Sequence, residues 1–266
     1  MRFNLKYFPN FLGQKKGNKS TFNKHWVDIL KKVNTEIIKP EKNLYLNLNN
    51  LKKNLDNDES RRKIVIGGDH SNSIATLAHT SNKYKNLKVL WIDAHGDINS
   101  YEKSETKNVH GMVLAFLTNI DRKMSYMVNT PVKMENIMYL GIRDLDNYEK
   151  DIIRDNNIKY ITCKEINENK LETYKKIEEF VGSDYLHISF DVDSIDPKYI
   201  PSTGTAVKDG INIDILYNIL EKMLKKKNTI HLDIMELNLA LGSVEDKIIS
   251  IYNVNRLLNI IKNLEK

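Results

Sequence analysis

Cysteine is almost missing from this chain: one thiol, Cys163, in 266 residues. A single thiol excludes an internal disulfide framework, a zinc ribbon and a dithiol redox pair, and it fits a reducing, cytoplasmic setting. Its ordinary reading is a small buried hydrophobe. Long apolar runs are missing too, and none approaches the roughly 20 residues that cross a bilayer. Met1 to Gly17 is broken by Asn, Lys and Pro before any apolar stretch reaches signal-peptide length. There is no internal repeat, low-complexity linker or composition break, so one domain over residues 1–266 is expected.

Positive charge is in excess but unorganised, with a formal net charge of +6. The basic residues are mostly Lys among Asn, as in Lys52-Lys53-Asn54, Lys83-Tyr84-Lys85-Asn86 and Lys225-Lys226-Lys227-Asn228. No Arg-rich stripe or aromatic stacking platform accompanies them, which describes a solvated surface and argues against nucleic-acid binding. Gly67-Gly68 has neither the Rossmann spacing nor the Lys of a phosphate loop. What remains, 41% hydrophobic and 29% charged residues, is ordinary for a globular protein.

After an apolar run at Leu5 to Phe8, a polar loop at Gly13 to Ser20, a helical pattern at Phe22 to Val33 and an Asn/Lys/Leu-rich stretch to Glu59, strand and helix patterns alternate. Strands are expected at Lys63 to Ile66, Lys88 to Ile92, Asn136 to Ile142, Ile158 to Ile161, Tyr185 to Phe190 and Thr229 to Met235. Helices are expected at Asn72 to Tyr84, Gly111 to Asn119, Tyr148 to Asn156, Leu171 to Val181, Ile213 to Lys226 and Val244 to Leu264. The last shows a wide apolar face including Ile248, Ile249, Tyr252, Leu257, Ile260 and Ile261. Such alternation predicts an α/β fold with a parallel sheet covered on both faces.

The chemistry gathers at the strand ends. Asp93, His95 and Asp97 follow one apolar run, and Asp191 and Asp193 follow another; alternation along a strand puts each set on one face. Gly67-Gly68-Asp69-His70-Ser71 follows a third, with Ser71 placed to cap the next helix; Glu236 ends a fourth, and His110 opens a helix. Taken singly, each has a duller reading as a cap, core histidine or loop-bonding aspartate. Five acids and three histidines at or just beyond strand ends make a shared site the better account, because loops converge there in a parallel sheet. His25, His79, His187 and His231 read as structural, lacking carboxylate neighbours of the right phase.

Four carboxylates beside an apolar interior repel one another unless their pKa values rise or cations neutralise them. Carboxylates and imidazoles without thiolate suit Mn²⁺-like ions better than structural zinc. Four negative charges balance two divalent ions, which would share a water and make it a nucleophile. Binuclear metal-assisted hydrolysis follows, with the substrate left open.

Five stretches resemble the arginase and agmatinase ureohydrolase family, the arginases most closely. They are Gly67-Gly68-Asp69-His70-Ser71, Asp93-Ala94-His95-Gly96-Asp97-Ile98-Asn99, His110-Gly111, Ser189-Phe190-Asp191-Val192-Asp193-Ser194-Ile195-Asp196-Pro197 and Leu232-Asp233-Ile234-Met235-Glu236-Leu237-Asn238. The resemblance spans about residues 63–260 and leaves 1–62 divergent. It implies the arginase-type fold, a three-layer α/β/α arrangement about a central, mainly parallel sheet. It also implies two Mn²⁺ ions, one held by His70, Asp93, Asp97 and Asp191, the other by Asp93, His95, Asp191 and Asp193. A metal-bridging hydroxide would attack the guanidinium carbon of L-arginine, releasing L-ornithine and urea. Asp97 would help move a proton to the departing amine, His110 would shuttle protons, and Glu236 would hold the guanidinium. Asn99, Ser104, Thr106 and Asn108 match carboxylate-binding positions, Asp146 the acid facing the α-amino group with Glu149 nearby, and Thr205 a substrate-side position. This favours arginine over agmatine. Agmatinase, guanidinobutyrase or formimidoylglutamase activity, or an inactive metal-binding homologue, are the alternatives. A homo-oligomer, a trimer by preference, is implied as well. Among the departures, Gly96 replaces a larger residue and is expected to loosen its loop, and Gly13 to Ser20 matches poorly.

Overall fold

The computed structural model describes residues 3–15 and 23–264. Eight strands are present among them: β1 (Asn4–Phe8), β2 (Glu36–Ile37), β3 (Lys63–Gly67), β4 (Leu87–Ile92), β5 (Ile137–Leu140), β6 (Lys159–Ile161), β7 (Tyr185–Asp191) and β8 (Thr229–Met235). They form one sheet in the order β2-β1-β3-β8-β7-β4-β5-β6, with every neighbouring pair parallel. The helices are α1 (Lys24–Lys32), α2 (Leu44–Asn57), α3 (Asn72–Lys83), α4 (Val113–Leu117), α5 (Asn147–Asp155), α6 (Cys163–Glu168), α7 (Lys170–Val181), α8 (Ile213–Lys225) and α9 (Val244–Asn263).

Alternation along each strand divides the interior into two cores. Ile64, Ile66, Leu90, Ile92, Ile188, Phe190, Leu232 and Ile234 face α1 and α6–α9, whereas Val65, Val89, Trp91 and Tyr139 face α2–α5. Central strands covered on both sides must be apolar almost throughout, and β3 and β8 are buried at every residue. The expected three-layer α/β/α arrangement is therefore present. No helix among the described residues is long and apolar enough to cross a membrane.

Several elements differ from the pattern reading. The Asn/Lys/Leu-rich stretch contains α2, capped by Asn43 and burying Leu48, Leu51 and Leu55 at helical spacing. The short α6 went unanticipated, although its Thr162–Glu165 capping box is a visible start signal. Ser71 does not cap α3; its hydroxyl bonds Asp69 instead. The buried stripe of α9 is Ile251, Val254, Leu257, Leu258 and Ile261, while Ile248 and Tyr252 are 62% and 66% exposed. Twenty residues of helix carry apolar side chains on more than one face, and only one can meet the sheet.

Candidate metal centre and substrate cavity

The four central strands, β3, β8, β7 and β4, point their carboxyl ends at one place, and each delivers part of the site. His70 follows β3, Glu236 follows β8, Asp191 ends β7 with Asp193 in the 3₁₀ turn Val192–Ser194, and Asp93 follows β4. Strand alternation does not align Asp93, His95 and Asp97, because β4 stops at Ile92. Backbone bonding within the loop brings them round: Asp93 accepts the His95 N–H at 2.8 Å, and Asp97 takes a φ of 48°. Glu236 also sits in the left-handed region, with φ 65°. That conformation is costly for a Glu and persists here at a polar, buried position.

Six predicted ligands form two overlapping groups. His70 Nδ1 lies 2.9 Å from Asp93 Oδ2, 3.1 Å from Asp97 Oδ2 and 3.1 Å from Asp191 Oδ2. His95 Nδ1 lies 3.1 Å from Asp193 Oδ2 and 3.4 Å from Asp93 Oδ1. Asp93 belongs to both groups. Although three carboxylates surround His70 Nδ1, none is aligned for a hydrogen bond with it. Its other nitrogen, Nε2, is engaged by Ser189 Oγ at 2.9 Å, and the ring is stacked on Trp91 at 4.2 Å. A ring nitrogen among anionic oxygens needs positive charge in the middle: without a metal the three carboxylates outweigh burial and raise the His70 pKa, and a divalent metal fits in that proton's place.

The electrostatics carry the same strain. Burial raises the Asp191 carboxyl, and the charges of Asp193 and Asp93 raise it further. Asp97 is pushed up to about 6 by burial and by Asp93. Burial also opposes ionisation of Asp93, but His70 and His95 outweigh it and hold its pKa down.

Glu236 and His110 form a second unit. Glu236 Oε1 accepts the His70 backbone N–H at 2.9 Å and lies 3.0 Å from His110 Nδ1; Oε2 accepts the Gln14 side-chain N–H at 3.1 Å. Burial would lower the His110 pKa, yet Glu236 carries it to about 9. Gln14 was missed at the sequence level, lying where the chain departs from the familiar pattern. Its only sequence signal is the Gly13-Gln14 pair. Residues 16–20 of the expected Gly13 to Ser20 loop fall outside the described residues.

Asn99, Ser104, Thr106, Asn108, Asp146, Glu149 and Thr205 line one cavity of about 510 Å³, together with His95, Asp97, His110 and Asp191. His70, Asp93, Asp193 and Glu236 lie buried beneath it. Asp146 and Glu149 also form the capping box of α5, Asp146 accepting the Glu149 N–H and Glu149 reaching back to the Asp146 N–H. Asn99 donates to Asp146, and Thr205 donates to Asp193 at 2.9 Å. Gly96 does not loosen its loop: a Cβ there would stand 2.9 Å from both Glu149 Oε1 and Leu145 Cδ2, so the space is already filled.

A third acid–imidazole group lies away from the cavity, within the sheet. Asp233 accepts from His187 Nε2 at 3.0 Å, His231 Nε2 at 2.9 Å, Ser73 Oγ at 2.8 Å and Thr76 Oγ1 at 2.7 Å. The sequence reading denied His187 and His231 a carboxylate neighbour. His231 is two residues from Asp233 on one strand face, and register brings His187 beside His231, where their rings stack at 4.4 Å.

The profile of the arginase family matches residues 10–253. An arginase of Staphylococcus aureus (strain MRSA252) is 39% identical over 188 residues, which cover 68% of this chain and 62% of that relative. An arginase of Plasmodium falciparum (isolate 3D7) is 35% identical over 211 residues, covering 75% of this chain and 51% of that relative. The chain thus spans less than two thirds of the length of these curated relatives. The crystal structure of Entamoeba histolytica arginase in complex with L-ornithine aligns with a TM-score of 0.84 at 26% identity, covering 98% of this chain and 99% of that one.

Proposed function

This chain belongs to the arginase family, and from that premise we propose that it hydrolyses the guanidinium group of L-arginine to L-ornithine and urea with two Mn²⁺ ions per chain. The observation that supports this best is His70 Nδ1, held among Asp93, Asp97 and Asp191 without an aligned hydrogen bond while Ser189 occupies its other nitrogen. His70, Asp93, Asp97 and Asp191 would hold one ion, and Asp93, His95, Asp191 and Asp193 the other. Divalent ions in that donor set lower the pKa of bound water toward about 7 and so supply the nucleophile at neutral pH.

The chain's own residues do the rest. Glu236 pairs with the guanidinium, a planar cation whose N–H groups suit carboxylate oxygens. His110, on the cavity wall and bonded to Glu236, carries a proton between the site and solvent. Asp97, on the same wall, passes a proton to the departing amine. Asn99, Ser104, Thr106 and Asn108 would receive the α-carboxylate, and Asp146 the α-ammonium, with Glu149 and Thr205 beside them. A cytoplasmic homo-oligomer, a trimer by preference, and a single domain over the whole chain complete the reading.

The test is one purified sample, measured for bound metal and for urea release. Two Mn²⁺ per chain and urea from L-arginine are expected. Urea from agmatine or guanidinobutyrate alone, or formamide from formiminoglutamate, would replace the substrate assignment. A Mn²⁺-loaded sample that leaves all four intact would end it.

A further inference from the structure

Glu236 is 1% exposed and does not reach the cavity wall unaided. A carboxylate has about four acceptor positions. Oε1 faces two donors, the His70 backbone N–H and His110 Nδ1, so an incoming guanidinium must use Oε2. Only Gln14 Nε2 touches Oε2 among the described residues, at 3.1 Å.

Gln14 does not reach that position by chance. It is 5% exposed, and the backbone before it is tied at both polar groups of Gly13. The Gly13 N–H donates to buried Asp69 Oδ2 at 2.7 Å, and the Gly13 carbonyl accepts the His110 N–H at 3.2 Å. Asp69 precedes His70 just after β3, and His110 lies in the 3₁₀ turn Val109–Met112, so the loop is pinned to the two segments that carry the carboxylate's other partners. On its far side Gln14 packs on Gly204, where a Cβ would stand 3.0 Å from Oε1. No donor among the described residues bonds that Oε1.

We propose that Gln14 is a specificity-determining positioning residue. Its Nε2–H fixes the plane of the Glu236 carboxylate, and its free Oε1 accepts an N–H of the same guanidinium. This rests on the guanidinium reading above. A carboxylate deprived of the Gln14 bond can turn about its last torsion, and a substrate N–H loses its acceptor. Hydrogen bonds to charged groups are worth enough for about a tenfold change or more. The loss falls on recognition of the guanidinium group and spares the α-carbon end.

The experiment compares wild type with Gln14→Met, which keeps the shape and removes both polar atoms, and with Gly204→Ala, which crowds Oε1 from outside. For Gln14→Met the KM for L-arginine should rise about tenfold or more, with kcat changed less than about threefold. Inhibition by ornithine, which has no guanidinium, should keep its wild-type strength. Gly204→Ala should shift KM the same way by a smaller factor. An unchanged KM in Gln14→Met, or an equal weakening of arginine and ornithine, would overturn the assignment to Gln14. Should Gln14→Met fail to fold, an unchanged KM in Gly204→Ala overturns it alone. A wild type that releases no urea from arginine would sink the substrate reading instead.

Discussion

Two buried groups in this molecule are built from the same materials, carboxylate and imidazole, and they stand in opposite electrostatic balance. In the sheet interior, one acid, Asp233, receives two imidazole donors and the hydroxyls of Ser73 and Thr76, with Ser189 Oγ a longer third at 3.5 Å. Its charge is therefore fully solvated by protein, and burial holds its partner His231 down at about 4, neutral at pH 7 and free to donate. At the strand ends, four acids face two imidazoles, and His70 Nδ1 finds no aligned partner. Residue type and burial alone do not separate the two groups; the count of donors against acceptors does. One group satisfies its single carboxylate from within, although His231 Nδ1 has no hydrogen-bond partner among the described residues, and the other gathers more carboxylates than its two imidazoles can neutralise.

A matched pair of isosteric substitutions would break this comparison if it is wrong. Asp191→Asn should lower urea production by at least about 10³-fold, on the order of 4 kcal/mol of barrier, while metal-free thermal stability stays near wild type, because the charge removed is one that burial, Asp193 and Asp93 already oppose. Asp233→Asn should do the reverse, costing about 3–5 kcal/mol of stability, since it leaves buried donors facing an amide that cannot accept them all. Circular-dichroism melts beside a urea assay read both. Equal stability losses would erase the distinction.

Metal sharpens the contrast. Mn²⁺ at about a thousand times its Kd should stabilise the wild type by about 4 kcal/mol per site. That gain should vanish after chelation, persist in Asp233→Asn and shrink in Asp191→Asn, as calorimetry would show. Acid should act on the sheet-interior group. His231, and nearby His79 on α3, whose Nδ1 lies 2.6 Å from Asp56 Oδ1, have folded-state pKa values near 4 against an ordinary 6.5, so unfolding takes up protons between those values. Their stabilisation is complete above about pH 6.5 and is lost as pH falls toward 4. Because the raised carboxyls of Asp97 and Asp191 act with the opposite sign in chelated protein, the check is an NMR titration of the His231 ring, and a midpoint near 6.5 would contradict the neutral imidazole.

The smallest effect separates structure from recognition at Asp146. Because Asp146 caps α5, Asp146→Ala should cost about 1 kcal/mol of stability through the helix alone. Asp146→Asn keeps a capping oxygen but removes the charge proposed to face an α-ammonium. It should spare stability and weaken turnover of arginine by about tenfold, of the size expected for a charged hydrogen bond. A variant as active as wild type would leave Asp146 a helix cap and nothing more.

Much of this was legible in the chain. Apolar runs closed by Asp, His or Glu marked β3, β4, β7 and β8, and the alternation of strand with helix patterns foretold a parallel sheet covered on both faces. What escaped had no local signal. Gln14 sits in a polar loop without periodicity, and its importance comes from Glu236, 222 positions away. His187 and Asp233 meet only because β7 and β8 pair in one register. The exposure of Ile248 and Tyr252 depends on which face α9 turns to the core, and its apolar pattern allowed more than one.

By itself, then, the order of residues settled the six strands β3 to β8 and most of the helices and named the candidate site residues, because hydrophobic period and strand-end polarity are written over a few residues at a time. Tertiary structure decided their company. β3 and β4 are consecutive along this half of the chain, yet β8 and β7 come between them. Only that insertion sets His70 against Asp191 and Glu236 beside His110, since a parallel sheet fixes which carboxyl ends are neighbours.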